Sequence, residues 1–103
     1  MAMLVEFSMF PLDQGESVSE YVGRSLDIID RSGLPYRVNA MGTVIEGEWD
    51  EVMAVVRACH ERMSADCHRV VCTLKMDWRK DATGRLDGKI DRVEERLGRK
   101  LNR

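Results

Sequence analysis

The stretch Tyr36-Arg37-Val38-Asn39-Ala40-Met41-Gly42-Thr43-Val44-Ile45-Glu46-Gly47-Glu48 holds two strand-like runs joined by a sharp turn. Tyr36 to Ala40 and Thr43 to Glu48 carry the β-branched and aromatic residues of strands, and Met41-Gly42 between them invites a tight hairpin. What flanks this hairpin decides how the chain is wound.

Before it lies a helix with both ends signalled. Ser17-Val18-Ser19-Glu20 has the form of a capping box, in which Ser17 accepts from the first turn and Glu20 reaches back to the cap amide. Val18, Tyr21, Val22, Leu26 and Ile29 follow at helical spacing. Gly33 supplies the left-handed residue after the helix, and Pro35 stops continuation. After the hairpin, Asp50 is the expected N-cap of a second helix, whose stripe runs Val52, Val55, Val56, Cys59 and Met63.

Strands stand outside both helices. Met3, Val5, Phe7 and Met9 alternate with Leu4, Glu6 and Ser8 up to Pro11. His68 to Trp78 gives the longest strand, with Val70, Cys72, Leu74 and Met76 on one face and Val71, Thr73, Lys75 and Asp77 on the other. Leu86, Ile90, Val93, Leu97 and Leu101 then mark a third helix with a narrow stripe, closer to a seam than a core face.

The order β-α-β-β-α-β plus a C-terminal helix predicts an α+β fold, a ferredoxin-like βαββαβ sandwich. Two right-handed split βαβ units give a four-stranded antiparallel sheet in the order 4-1-3-2, with both main helices on one face. The whole chain, residues 1–103, is expected to be a single domain. The second sheet face would carry Leu4, Glu6, Ser8, Val71, Thr73, Lys75 and Asp77, too apolar for plain solvent surface, so pairing with another copy is expected. Glu6 and Lys75, on neighbouring strands, could form a cross-strand ion pair there.

Composition removes several function classes. Sixteen Lys and Arg against eighteen Asp and Glu leave a net charge of −2, which gives no general attraction to nucleic acid. The N-terminal residues lack the pattern of a signal peptide, and no apolar run approaches a membrane span. Three cysteines without a CxxC fit free thiols in a reducing, cytoplasmic setting. Cys59-His60 and Cys67-His68 offer soft ligands, but adjacent residues on a helix point about 100° apart, so no metal site is expected. No nucleophile–base pair, phosphate loop or carboxylate dyad is present, and no catalytic residue is assigned.

The hairpin remains. It sets an amide, a hydroxyl, two glycines and two carboxylates close together in a sheet, where glycines weaken a strand unless a bulge or a close ligand uses them. The plain alternative is a turn glycine, a bulge glycine and solvated acids.

The run Met41-Gly42-Thr43-Val44-Ile45-Glu46-Gly47-Glu48 resembles the most characteristic motif of the small thiamine-binding (YkoF-like) family. So do the opening strand leading to Pro11, Ser17-Val18-Ser19, Ser32-Gly33-Leu34-Pro35-Tyr36 and Lys75-Met76-Asp77-Trp78-Arg79, nearly the whole chain in register. The resemblance implies a ferredoxin-like fold and a non-enzymatic protein without a cofactor. It also implies a homodimer or homotetramer assembled through the sheet, and thiamine or its hydroxymethylpyrimidine moiety as ligand. The alternative is a regulatory or assembly module for another small metabolite or anion.

An aminopyrimidine presents a donor amine beside ring-nitrogen acceptors. Asn39, Thr43 and Glu46 supply matching types, with Ser17 and Ser19 as further donors at a helix start. Asp77 and Arg79 are carried over too, although they should fall at the opposite end of the sheet. Tyr21, Tyr36, Trp49 and Glu48 are candidates for a wall against a thiazolium cation.

Overall fold

The computed structural model describes residues 2–16 and 18–103. In chain order it forms β1 (Met3–Pro11), α1 (Ser19–Arg31), β2 (Tyr36–Asn39), β3 (Gly42–Gly47), α2 (Trp49–Ser64), β4 (Val70–Trp78) and α3 (Arg85–Leu97). The sheet is antiparallel in the order β2-β3-β1-β4, the expected ferredoxin-like arrangement.

Alternation along β1 becomes a core. Met3, Val5, Phe7 and Met9 are all buried, with Ile29 of α1 and Val52, Val55, Cys59 and Met63 of α2 packed among them. Residues directly opposed across an antiparallel pair share a face. Thr43 opposite Phe7 and Ile45 opposite Val5 therefore join the helix side. Leu4, Glu6, Ser8, Thr73, Lys75 and Asp77 share the other side; Glu6 is opposite Lys75, but the two side chains do not close into the expected ion pair.

Local boundaries differ from expectation in ways chemistry explains. The turn is Ala40-Met41, with Asn39 paired to Gly42. The Asn39 carboxamide oxygen accepts the Met41 amide at 2.9 Å, an Asx interaction that fixes the turn one residue early. At α2 the N-cap is Glu48, not Asp50, and the Glu48 amide donates to the Glu51 carboxylate at 3.0 Å. The first turn of α1 begins at Ser19 behind Val18, and the expected cap Ser17 lies outside the described residues. At its far end Gly33 has φ +79°, the predicted left-handed stop.

The motif glycines serve packing. Neither Gly42 nor Gly47 has a positive φ. A Cβ on Gly42 would lie 3.1 Å from the Phe7 carbonyl oxygen, and one on Gly47 would lie 3.1 Å from Val52 and 3.3 Å from Leu34. Both let neighbouring elements approach closely.

The third helix lies on the face opposite α1 and α2. Its N-cap is Gly84, which has no side chain to bind the free amides of the first turn. Glu46 of β3 does this instead: Arg85 N donates to Oε2 at 2.8 Å and Leu86 N to Oε1 at 3.3 Å. The carboxylate also meets the positive end of the helix dipole. Beside it, the Arg85 guanidinium donates to the Asp77 carboxylate at 2.7 Å, and Lys89 donates to the same oxygen at 2.8 Å. Arg37 of β2 pairs with Asp87. At the other end Glu94 is buried, accepting the Leu101 amide at 2.7 Å and pairing with Arg103.

Two outcomes follow from this anchoring. Glu46→Ala should cost about 1–3 kcal/mol, the usual penalty for stranding buried polar partners. Hydrogen exchange should show early loss of protection in residues 85–97 while β1 and α2 stay protected; uniform loss would show that Glu46 holds the core instead. Arg85, and then Lys89, lower the Asp77 carboxyl from 3.8 to about 2. A carboxylate with a depressed folded-state pKa stabilises above its unfolded value and loses that contribution as pH falls through the folded one. In denaturant titrations, Asp77→Asn should therefore remove part of the stability decline between about pH 4 and pH 2; an unchanged acid limb would count against the pairing.

Candidate functional site

The stripe of α1 that faces the sheet includes positions 22, 25, 26 and 29, and three of these are Val22, Leu26 and Ile29. The fourth is Ser25, which is only 5% exposed. Opposite this stripe lie the end of β1 and the β2–β3 hairpin. A cavity of about 100 Å³ remains between them. Its walls are mainly apolar, from Phe7, Leu26, Ile29 and Val38, and the polar residues among those lining it are Ser8, Ser25, Asn39 and Thr43. An apolar wall with a few polar residues has the composition of small-molecule sites, at a volume below their usual range of roughly 300–1,000 Å³.

The structure divides the residues expected to bind a ligand. Asn39 and Thr43 both line the cavity, Thr43 from the helix side of the sheet and Asn39 from the turn. Ser19 starts α1 and is exposed, outside the cavity lining. Glu46 does not stand with Asn39 and Thr43. It projects from the opposite face at the other end of β3, and both its oxygens are engaged by α3 amides. Glu46 and Asp77 flank the same residue, Leu4, on adjacent strands, so they form a second group around the start of α3. Arg79 is exposed just past β4, where its carbonyl accepts the Ala82 amide.

The aromatic candidates for a cation wall lie elsewhere. Tyr21 donates its hydroxyl to Gln14 at 2.9 Å and lies beneath the Arg24 guanidinium, 4.6 Å from ring centroid to Cζ. Tyr36 donates to Asp30 at 2.7 Å, and Trp49 is exposed at the start of α2. On the open sheet face, a shallow groove of about 480 Å³ runs past Glu6, Lys75, Asp77, Trp78 and Lys89.

Thiol chemistry finds little support in these surroundings. Burial raises the pKa of Cys59, Cys67 and Cys72, which disfavours thiolate at neutral pH. Among the described residues, no three His, Cys, Asp or Glu side chains come together as metal ligands, and no helix is long and apolar enough to cross a membrane.

Sequence reasoning missed Ser25 as a residue lining this cavity. The signal for Ser25 was present, because a polar residue stands where helical spacing calls for an apolar one. Counting only the apolar members of the stripe passed over it.

Comparison with known proteins gives the family. The family model described as thiamine-binding protein matches residues 5–94. A UPF0045 protein of Mycobacterium bovis is 44% identical over 98 residues, covering 94% of this chain and 96% of that one. A UPF0045 protein of Methanocaldococcus jannaschii is 37% identical, covering 90% and 93%. The crystal structure of a hypothetical protein from the latter organism superposes with a TM-score of 0.84 at 36% identity, over 91% of this chain and 97% of that one. A candidate thiamine biosynthesis/salvage protein of Thermotoga maritima shares the fold, with a TM-score of 0.80 at 22% identity over 90% and 99%. The motif around Gly42 to Glu48, the sheet order and these matches agree, and the chain belongs to the thiamine-binding protein family.

Proposed function

We propose that this chain is a non-enzymatic cytoplasmic binding protein for thiamine or its hydroxymethylpyrimidine moiety, acting in sequestration or delivery. The observation that carries this reading is the cavity between α1 and the hairpin, where Asn39 and Thr43 offer polar groups against apolar walls. An aminopyrimidine edge needs a hydrogen-bond donor for its ring nitrogen and an acceptor for its amine. Thr43 can serve as either, and the Asn39 amide group can donate while its oxygen holds the turn. Ser19, at the start of α1, is a further donor in this proposal, as is Ser17, which lies outside the described residues. Glu46, Asp77 and Arg79 belong to the other end of the sheet, and we assign Glu46 and Asp77 to holding α3.

Isothermal titration should show saturable binding of thiamine and of hydroxymethylpyrimidine. Thr43→Val keeps the shape and removes the hydroxyl, and it should weaken binding at least tenfold, about 1.4 kcal/mol. Flat titrations with both compounds would overturn the ligand.

Assembly belongs to the same proposal. Leu4, Phe10 and Val71 are only half-buried on the open sheet face, and Ile90, Val93 and Leu97 of α3 are 40–45% exposed. A chain of this size gains stability by covering such a surface, and a second copy through the sheet is the occupant proposed here. Sedimentation should give a dimer or tetramer, and Val71→Asp should shift it to monomer with the far-UV spectrum retained. A wild-type monomer at micromolar concentration would refute the assembly.

A further inference from the structure

Glu6, Lys75 and Asp77 are the charged residues on the open face of β1 and β4. Asp77 is taken by Arg85 and Lys89. Glu6 and Lys75 are directly opposed on neighbouring strands and both are exposed, yet neither has a hydrogen-bond or ion-pair partner among the described residues. The residues around Glu6 are not typical solvent surface, because Leu4, Ser8 and Val44 are half-buried there.

The third helix leaves this part of the face bare. It starts at Glu46 and Asp77 and then follows β2, tied to it by Arg37 and Asp87 and facing Val38 and Asn39 across a groove. The face is therefore a step, with a helix over the β2–β3 side and open sheet over β1 and β4. A second copy fits such a step under a two-fold axis that lies between the two sheets, along the strands and midway between β1 and β4. β4 of each copy then lies over β1 of the other, and its free edge comes up against the partner subunit's α3.

That axis also resolves the two charges. Covering a carboxylate and an ammonium without partners is costly, so both must be paired on a buried face. Rotation about this axis sets Glu6 over Lys75 of the partner subunit, and Lys75 over Glu6 of the partner subunit. Packed sheets lie about 10 Å apart, within the combined reach of the two side chains. An axis across the strands at the same place would instead stack like charge on like, which is strongly disfavoured.

We infer that Glu6 and Lys75 form two reciprocal ion pairs between two copies of this chain, packed face to face about a two-fold axis that runs along β1 and β4. The inference rests on the assembly proposed above and deepens it, by fixing the axis and the contacts that select it. The competing arrangement is a Glu6–Lys75 pair within one copy.

Sedimentation velocity of the full chain tests this by exchanging the charges. Glu6→Lys alone and Lys75→Glu alone should each weaken dimerisation about tenfold or more, because each homodimer then holds two like-charge contacts. An equimolar mixture of the two variants should dimerise as the wild type does, because the mixed dimer restores both opposite-charge contacts. Single variants that dimerise normally, or a mixture no better than its components, would overturn the inference.

A second measurement needs no variant. A zero-length carbodiimide reagent joins a carboxylate to an amine only where the two touch. Applied to wild-type protein reassembled from isotope-labelled and unlabelled copies, it should give Glu6–Lys75 cross-links of mixed isotope; cross-links confined to single copies would show pairing within the chain and sink the inference. A wild-type monomer would remove the assembly and this inference together, whereas a dimer indifferent to both charge reversals would discard the inference alone.

Discussion

The register of β1 is the constraint on which everything else hangs. Both its edges are paired, nine residues against β4 and five against β3, and its odd-numbered side chains fill the core. A slip of one residue would turn Met3, Val5, Phe7 and Met9 outward and bring Glu6 inside, so the register is strongly specified. Once it is set, Thr43 must stand beside Phe7 on the helix side, and Glu46 and Asp77 must flank Leu4 on the other. The cavity and the seat of α3 are two faces of that one alignment.

This geometry divides the polar residues of the hairpin motif by role. Residues three apart on a strand point to opposite faces, so Thr43 and Glu46 serve different partners although the sequence sets them close together. Thr43 joins the cavity, and Glu46 joins Arg85, Lys89 and Asp77 in fixing α3. One short run of sequence thus contributes one residue to a cavity wall and another to the seat of a helix.

Much of the fold was legible because its signals are local. Period-two alternation in β1, the helical stripe of α2 and the Gly33–Pro35 stop each act within a few residues, and the structure reproduces them. The turn and the α2 cap moved by a residue or two because side chains competed for the same amides, Asn39 for Met41 and Glu51 for Glu48. The candidate site was harder to read. Whether Glu46 faces ligand or helix depends on where α3 docks, 39 residues further along, and no local pattern encodes that. Ser25 carried a readable signal, a polar residue within an apolar stripe, but its place beside a cavity depends on where β1 and the hairpin pack.

Gly84 has a consequence for how the last helix is held. With a bare glycine as its cap, α3 has no capping side chain of its own, and the acceptor for its first amides sits on β3. That acceptor is in place only when β3 has paired with β1. The first turn of the last helix is therefore capped across 39 residues of sequence, by a side chain that only the assembled sheet holds in place.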